Sequence, residues 1–465
     1  MIRVHDVSMG GRGRRAFLRI GSLGLAGLSL GDLTAARNAL AAAGYPVQDR
    51  SVVFVFMHGG PSQIETFDPK MDAPAEVRSV TGEVRTAIPG LTYGGTFQRL
   101  AKRAHRTAVV RSFVTGDGNH DIKPVVGKNS LGANLGSLYA RVAGTNRIPG
   151  GMPSNVALFP RAVDAEAQPA EMSFGRFDAP GPLGAAYAPF VPGAGGGMQE
   201  DLELRIPRSR LDDRRGLLER FDGFRRAWEG SGVLDGISGF RAQALDAILG
   251  GVADAFDLSQ EDPRTLARYD TSPLVRPEAI DRKWNNHQNY RDHSQTLGKL
   301  LLLARRMCER GCGFVTVTTN FVWDMHADVN NATMAEGMGY VGTPFDHAVA
   351  AFLDDVAERG LSDRILLVAC GEMGRTPRIN EHGGRDHWGR LAPLLLAGGG
   401  LRMGQVIGES SRDAGEPAAD PVTIDNLTAT ILHTLLDPGE VRLMDNLPRD
   451  LVRLISSGEP IRQLI

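Results

Sequence analysis

Two short stretches of this chain hold side chains that suit a divalent cation. Trp323-Asp324-Met325-His326 supplies Asp324 and His326, and the segment from Gly371 to Trp388 supplies Glu372, Asp386 and His387. Carboxylate oxygens and imidazole nitrogens are ligands for zinc, manganese, magnesium or calcium. A cation so held would lower the pKa of a bound water or hydroxyl nucleophile and neutralise charge on a phosphoryl or sulfuryl oxygen. Arg375 and Arg385 lie in the same segment. Their guanidinium groups suit two roles: a bidentate grip on an oxyanion, or pairing with Glu372 and Asp386 to brace the loop. Ser62, after Gly59-Gly60-Pro61, is either a nucleophile or the N-cap of a following helix.

These stretches follow apolar runs long enough for buried strands and too short for free-standing helices. The run Ile365 to Cys370 precedes Glu372, Gly313 to Thr319 precedes Asp324, and the β-branched and aromatic run Ser51 to Met57 precedes His58. Further strands are expected at Thr107 to Ser112, leading to Asn119-His120-Asp121, at Asn155 to Phe159, and at Leu391 to Ala397. Helical spacing of apolar residues marks Thr96 to His105, Tyr290 to Arg310, Pro344 to Arg359 and a segment capped by Thr423. Strands alternating with helices predict an α/β fold, with a central mostly parallel sheet and helices on both faces. In such a sheet the loops after the strands share one edge, so ligands far apart in sequence can meet there. Residues 160–207 read as loop and 212–257 as two helices, so 160–285 is expected to be a helical insertion or cap.

The chain of 465 residues is 42% hydrophobic and carries a net charge of −2, ample for a large core and without the basic excess that nucleic acid or an anionic membrane surface would ask for. Arg14-Arg15-Ala16-Phe17-Leu18-Arg19, a weakly apolar stretch to Leu33 and Ala41-Ala42-Ala43 have the three regions of a twin-arginine export signal. Residues 1–43 are therefore expected to be removed, leaving a periplasmic or extracellular protein with no membrane span in its mature part. Cys308, Cys312 and Cys370 are too few for a disulfide framework, and Cys370, ending an apolar run, reads as a buried hydrophobe.

Taken together, the leader, Gly59-Gly60-Pro61-Ser62 with Thr66-Phe67-Asp68-Pro69-Lys70, Trp323-Asp324-Met325-His326, Gly371 to Pro377 and Gly384 to Trp388 resemble a large family of exported bacterial proteins, family 1501 among domains of unknown function. That family looks like a branch of the alkaline-phosphatase and sulfatase superfamily. The resemblance implies an alkaline-phosphatase-like fold over residues 44–465, with metals at the carboxyl edge of the sheet. It places His58 where those enzymes have a ligand aspartate after the first strand, and Asn119 and His120 near the position of their nucleophile. It matches Asp324 and His326 to a middle-loop pair, Glu372 and Met373 to a later Asp-His pair, and His387 to the final histidine. The implied activity is metal-dependent hydrolysis of a small-molecule or glycan phosphate or sulfate ester. A catalytically degenerate relative that binds a glycan or surface partner is the alternative, and a phosphomutase-type isomerase a third.

Overall fold

The computed structural model describes residues 46–147, 151–193 and 253–465. The expected signal segment at 1–43 and most of the two helices expected at 212–257 lie outside the described residues. Eight strands form the main sheet: β1 (Ser51–Phe56), β2 (Ala108–Val114), β3 (Asn155–Leu158), β4 (Phe314–Thr318), β5 (Ile365–Cys370), β6 (Ala392–Gly398), β7 (Gln405–Ile407) and β8 (Val422–Thr423). Their order is β7-β2-β6-β5-β1-β4-β3, with β8 also pairing with β2. The neighbours β5, β1, β4 and β3 are parallel, in register Val52 to Leu366 and Val52 to Phe314.

The principal helices are α1 (Gln63–Thr66), α2 (Leu135–Ala143), α3 (His287–Glu309), α4 (Thr343–Glu358), α5 (Ile424–Leu435) and α6 (Arg449–Ser457). Alternate residues of β1 point to opposite faces, as pleating requires. Val53 and Val55 join the core under α3 and α4, and Val52, Phe54 and Phe56 join the core under α2, α5 and α6. The four-leucine run Leu300 to Leu303 is wholly buried on the first face, each side chain contributing about 1.5–3 kcal/mol relative to exposure. Helix α5 opens with a capping box in which the Thr423 hydroxyl accepts from Asn426 N and the Asn426 side chain accepts from Thr423 N. No described helix is long and apolar enough to cross a membrane.

Strand β6 runs against the sheet, antiparallel to both β5 and β2. The chain between Cys370 and Ala392 contains only the short ribbon Gly374–Arg375 paired with His387–Trp388 and no crossover helix, so it returns to the edge it left. The helix expected over 96–105 is a single turn, Gln98–Ala101, followed by a 3-10 turn at Ala104–Arg106. Its free N–H groups at Arg99 and Leu100 are taken by the Asp346 carboxylate of α4, which supplies what a longer helix would have provided. All three cysteines are buried free thiols.

Candidate metal centre

The end of β1 is built for close approach. Gly59 and Gly60 have φ of +111° and +87°, and a Cβ on Gly59 would lie 2.5 Å from Asp324 N. This lets the loop after β4 lie across the end of β1, where Trp323 N donates to His58 O at 2.9 Å. Gly59 N in turn donates to both Glu372 oxygens, at 2.9 and 3.2 Å, fixing the acid that follows β5. The loop after β2 is tied down by Gly116 N to Gly389 O at 2.9 Å. His387 arrives just before β6 and pairs opposite Arg375 in the ribbon. Because β6 is reversed, its beginning lies at the rim where the parallel strands end, so His387 meets residues from the loops after β2, β4 and β5.

Three ligand atoms converge there. His120 Nε2 is 2.9 Å from His387 Nε2 and 3.5 Å from Asp324 Oδ1, and His387 Nε2 is 3.2 Å from that same oxygen. The three atoms lie within 4.8 Å of one another. Ligands of a tetrahedral zinc, at bond lengths of about 2.0–2.2 Å, sit about 3.3–3.6 Å apart. The observed separations come within about 0.4 Å of that spacing, and two imidazoles with a carboxylate are a donor set zinc accepts. The residues therefore fit a divalent cation.

The surrounding contacts fix each donor. Glu372 Oε1 is 3.1 Å from His120 Nδ1, so the carboxylate orients the ring and favours a proton on Nδ1, leaving Nε2 as the free donor atom. Asp324 Oδ2 is engaged by His326 Nε2 at 3.0 Å and Asn331 Nδ2 at 2.9 Å, while Oδ1 faces His120 and His387 and also meets the Arg375 guanidinium. Burial opposes ionisation of Asp324, but Arg375 and the bonds from His120, His326 and His387 outweigh it and hold the carboxyl well below its usual range. Burial likewise works to lower the His120 pKa, and the bonds to Asp324 and Glu372 overcome it and raise it.

The remaining expected site residues are placed differently. Asp386 accepts from the Asn380 side chain at 3.0 Å on the surface of the loop, apart from the three converging atoms. His58 is buried behind the rim, its Nδ1 accepting from Phe321 N at 3.4 Å and its Nε2 lacking any partner among the described residues. Burial pushes its pKa down, so it is a neutral imidazole. The Ser62 hydroxyl caps α1, accepting from Ile64 N and Glu65 N. Both arginines brace, with partners other than those expected. Arg375 holds Asp324 and the carbonyls of Gly59 and Gly60, and Arg385 pairs with Glu65 at 3.0 Å and with Val77 O at 2.9 Å. Both are fully buried.

Sequence reasoning set His120 near a nucleophile position; the structure sets it among the converging donors. It missed Asn331, Asn320 and the rings of Phe174 and Phe321. Phe321 packs edge-on against His120 at 4.6 Å, and Phe174 stacks on Phe321 at 4.4 Å. Only Asn119-His120-Asp121, following a strand, was a visible signal.

The molecule is thus an α/β protein with a three-donor cluster at the carboxyl edge of its mostly parallel sheet. It belongs to the family described as Protein of unknown function (DUF1501), whose profile matches residues 49–465. Comparison with curated proteins gives no match. Among solved structures, the chain is similar to the lipoteichoic acid synthase LtaP from Listeria monocytogenes, with 7% identity, TM-score 0.34, and coverage of 83% of this chain and 72% of that one. It is similar to the PsFucS1 sulfatase from Pseudoalteromonas sp., with 10% identity, TM-score 0.36, and coverage of 85% and 69%. It is also similar to the phosphonate monoester hydrolase SpPMH from Silicibacter pomeroyi, with 14% identity, TM-score 0.29, and coverage of 89% and 78%.

Proposed function

We propose that this protein is an exported, metal-dependent hydrolase of phosphate or sulfate esters, in a branch of the alkaline-phosphatase and sulfatase superfamily. The observation that carries the proposal is the meeting of His120 Nε2, Asp324 Oδ1 and His387 Nε2 at distances of 2.9 to 3.5 Å. These three residues would hold the cation. When bound, it supplies an acidified water and a positive charge facing the ester oxygen. Glu372 keeps His120 turned to the cluster, and His326 and Asn331 keep Asp324 turned to it by engaging its other oxygen. Arg375 acts through Asp324 as a positioning residue, since its guanidinium is spent on protein oxygens. Export by the twin-arginine route, with residues 1–43 as the signal, is part of the same proposal.

A second reading is a degenerate relative that binds a glycan or surface partner at the same rim. It is favoured by Ser62, whose buried hydroxyl is occupied as a helix cap, and by Met373, which packs against Gly60. Metal analysis of the purified protein, with turnover of 4-nitrophenyl phosphate and 4-nitrophenyl sulfate, tests the first reading. Metal at about one equivalent with turnover that His387→Ala abolishes supports it. A metal-free protein without turnover after zinc or manganese is added removes it. Metal bound without turnover leaves the binding reading.

A further inference from the structure

One side of the donor cluster is aromatic, and its construction is specific. Phe174 and Phe321 stack with centroids 4.4 Å apart and planes within 15°. Both rings touch His120, at 5.2 and 4.6 Å, so the pair stands directly beside a proposed metal ligand. Phe321 is nearly buried, whereas Phe174 is half-buried and so retains ring surface for another group.

The backbone there is held in an uncommon conformation. Asn320 and Phe321 are consecutive non-glycine residues with φ of +22° and +33°, positions that cost on the order of 1–3 kcal/mol each and gather where function requires them. The Asn320 side chain grips the facing segment like a strand edge: its Nδ2 donates to Pro169 O at 2.7 Å and its Oδ1 accepts from Glu171 N at 3.0 Å. Gln168 N donates to Asp292 Oδ2 at 2.6 Å, a second tether on the same segment. These add to the ring contacts with Phe321, His120 and His58 that hold Phe174 against the rim.

We infer that Phe174 and Phe321 form the specificity wall of the site, and that its ligand is an anionic ester whose alcohol part is an aromatic ring. The inference rests on the metal-dependent reading above. An anion held at the cluster lies beside the Phe174 face, and a planar ring attached to it stacks there, whereas a methyl group reaches little of that surface. Asn320 is a positioning residue for Phe174.

Calorimetric binding of phenylphosphonate and methylphosphonate to the zinc-loaded full chain tests this, since neither carbon–phosphorus bond is an ester to be hydrolysed. Phenylphosphonate is expected to bind about tenfold tighter. Phe174→Ala should bring the two affinities within about threefold while leaving methylphosphonate unchanged, and Phe174→Trp should keep the preference. Equal affinities in the unaltered protein overturn the inference, whatever the variants do. So does a preference that survives in folded Phe174→Ala. Either result leaves the anion site standing if His387→Ala weakens both ligands. If neither phosphonate binds the unaltered protein, the metal-dependent reading fails and the wall falls with it.

Discussion

Two charge clusters in this molecule, each with a buried carboxylate at its centre, differ in how they are closed. Beside α3 and α4, Arg305 meets Glu261 at 2.6 Å, Glu309 at 2.5 Å and Asp355 at 2.8 Å. Arg306 also reaches Glu261, at 3.0 Å, and Arg359 reaches Glu261, Glu309 and Asp355. Every carboxylate there faces guanidinium groups, so the network is electrically complete. At the rim, of the two acids Asp324 and Glu372 only Asp324 meets a guanidinium, that of Arg375, and their other side-chain partners among the described residues are imidazoles and an amide. That cluster has one guanidinium for two carboxylates, and three of its ligand atoms converge. A complete network has only the fold to stabilise. An incomplete one, with converging donors, has room for a cation.

The largest expected effect lies in the network beside α3 and α4. Arg305→Met removes one guanidinium from Glu261, Glu309 and the buried Asp355, which keep Arg359, and should cost about 3 kcal/mol in urea unfolding. It should leave zinc affinity within about twofold, and a loss of zinc binding in this variant would mean the clusters are coupled. His387→Ala is the mirror image. Zinc at a hundredfold excess over its Kd should stabilise the unaltered protein by about 2.7 kcal/mol, and the variant should lose that increment while its metal-free stability changes by less than about 1 kcal/mol. Thermal melts with and without a chelator read both quantities.

Acid sharpens the contrast. Burial works against ionisation of Glu261, yet bonds from Arg305 and Arg306 bring its carboxyl down to about 2, from 4.5 in the unfolded chain. The folded protein then binds fewer protons in that window, so this group's stabilisation is complete above about 4.5 and drains away as the pH falls towards 2. Arg305→Met should flatten that part of a stability-against-pH curve, and His387→Ala should leave it in place. The smallest effect belongs to His58. An unpartnered buried N–H costs about 1–3 kcal/mol, and a phenyl ring fits among Phe56, Phe174, Phe177 and Phe321. His58→Phe gives up the weak bond from Phe321 N but removes that penalty, so the net change should stay within about 1 kcal/mol. A loss above about 2 kcal/mol would assign His58 a partner that the described residues do not include.

The strands were legible because their signal is local. Ile365 to Cys370 and Ser51 to Met57 are continuous runs of apolar character, and they are strands over Ile365–Cys370 and Ser51–Phe56. Helix α3 begins three residues before the expected Tyr290, at His287, because its first turn is polar and shows no apolar stripe. The direction of β6 was not legible from its composition, since an apolar run reads the same either way. The absence of a helix between Cys370 and Ala392 was the available clue. At the site, the residue types were visible but the pairings were not: Arg385 takes Glu65, 320 residues away in the chain, and no spacing rule reaches that far. Asp386 has the same chemistry as Asp324, and only the path of the loop sets it on the outside.

The reversal of β6 also sets a clock. His120 and His387 are 267 positions apart, and one cannot meet the other until the ribosome has released both. At bacterial-to-eukaryotic synthesis speeds of about 5–20 residues per second, that gap takes roughly a quarter of a minute to a minute to translate. A cation therefore cannot act as an early nucleus for this polypeptide. A cation that needs both histidines could enter only once His387 has been made, when five of the eight strands of the main sheet have been synthesised.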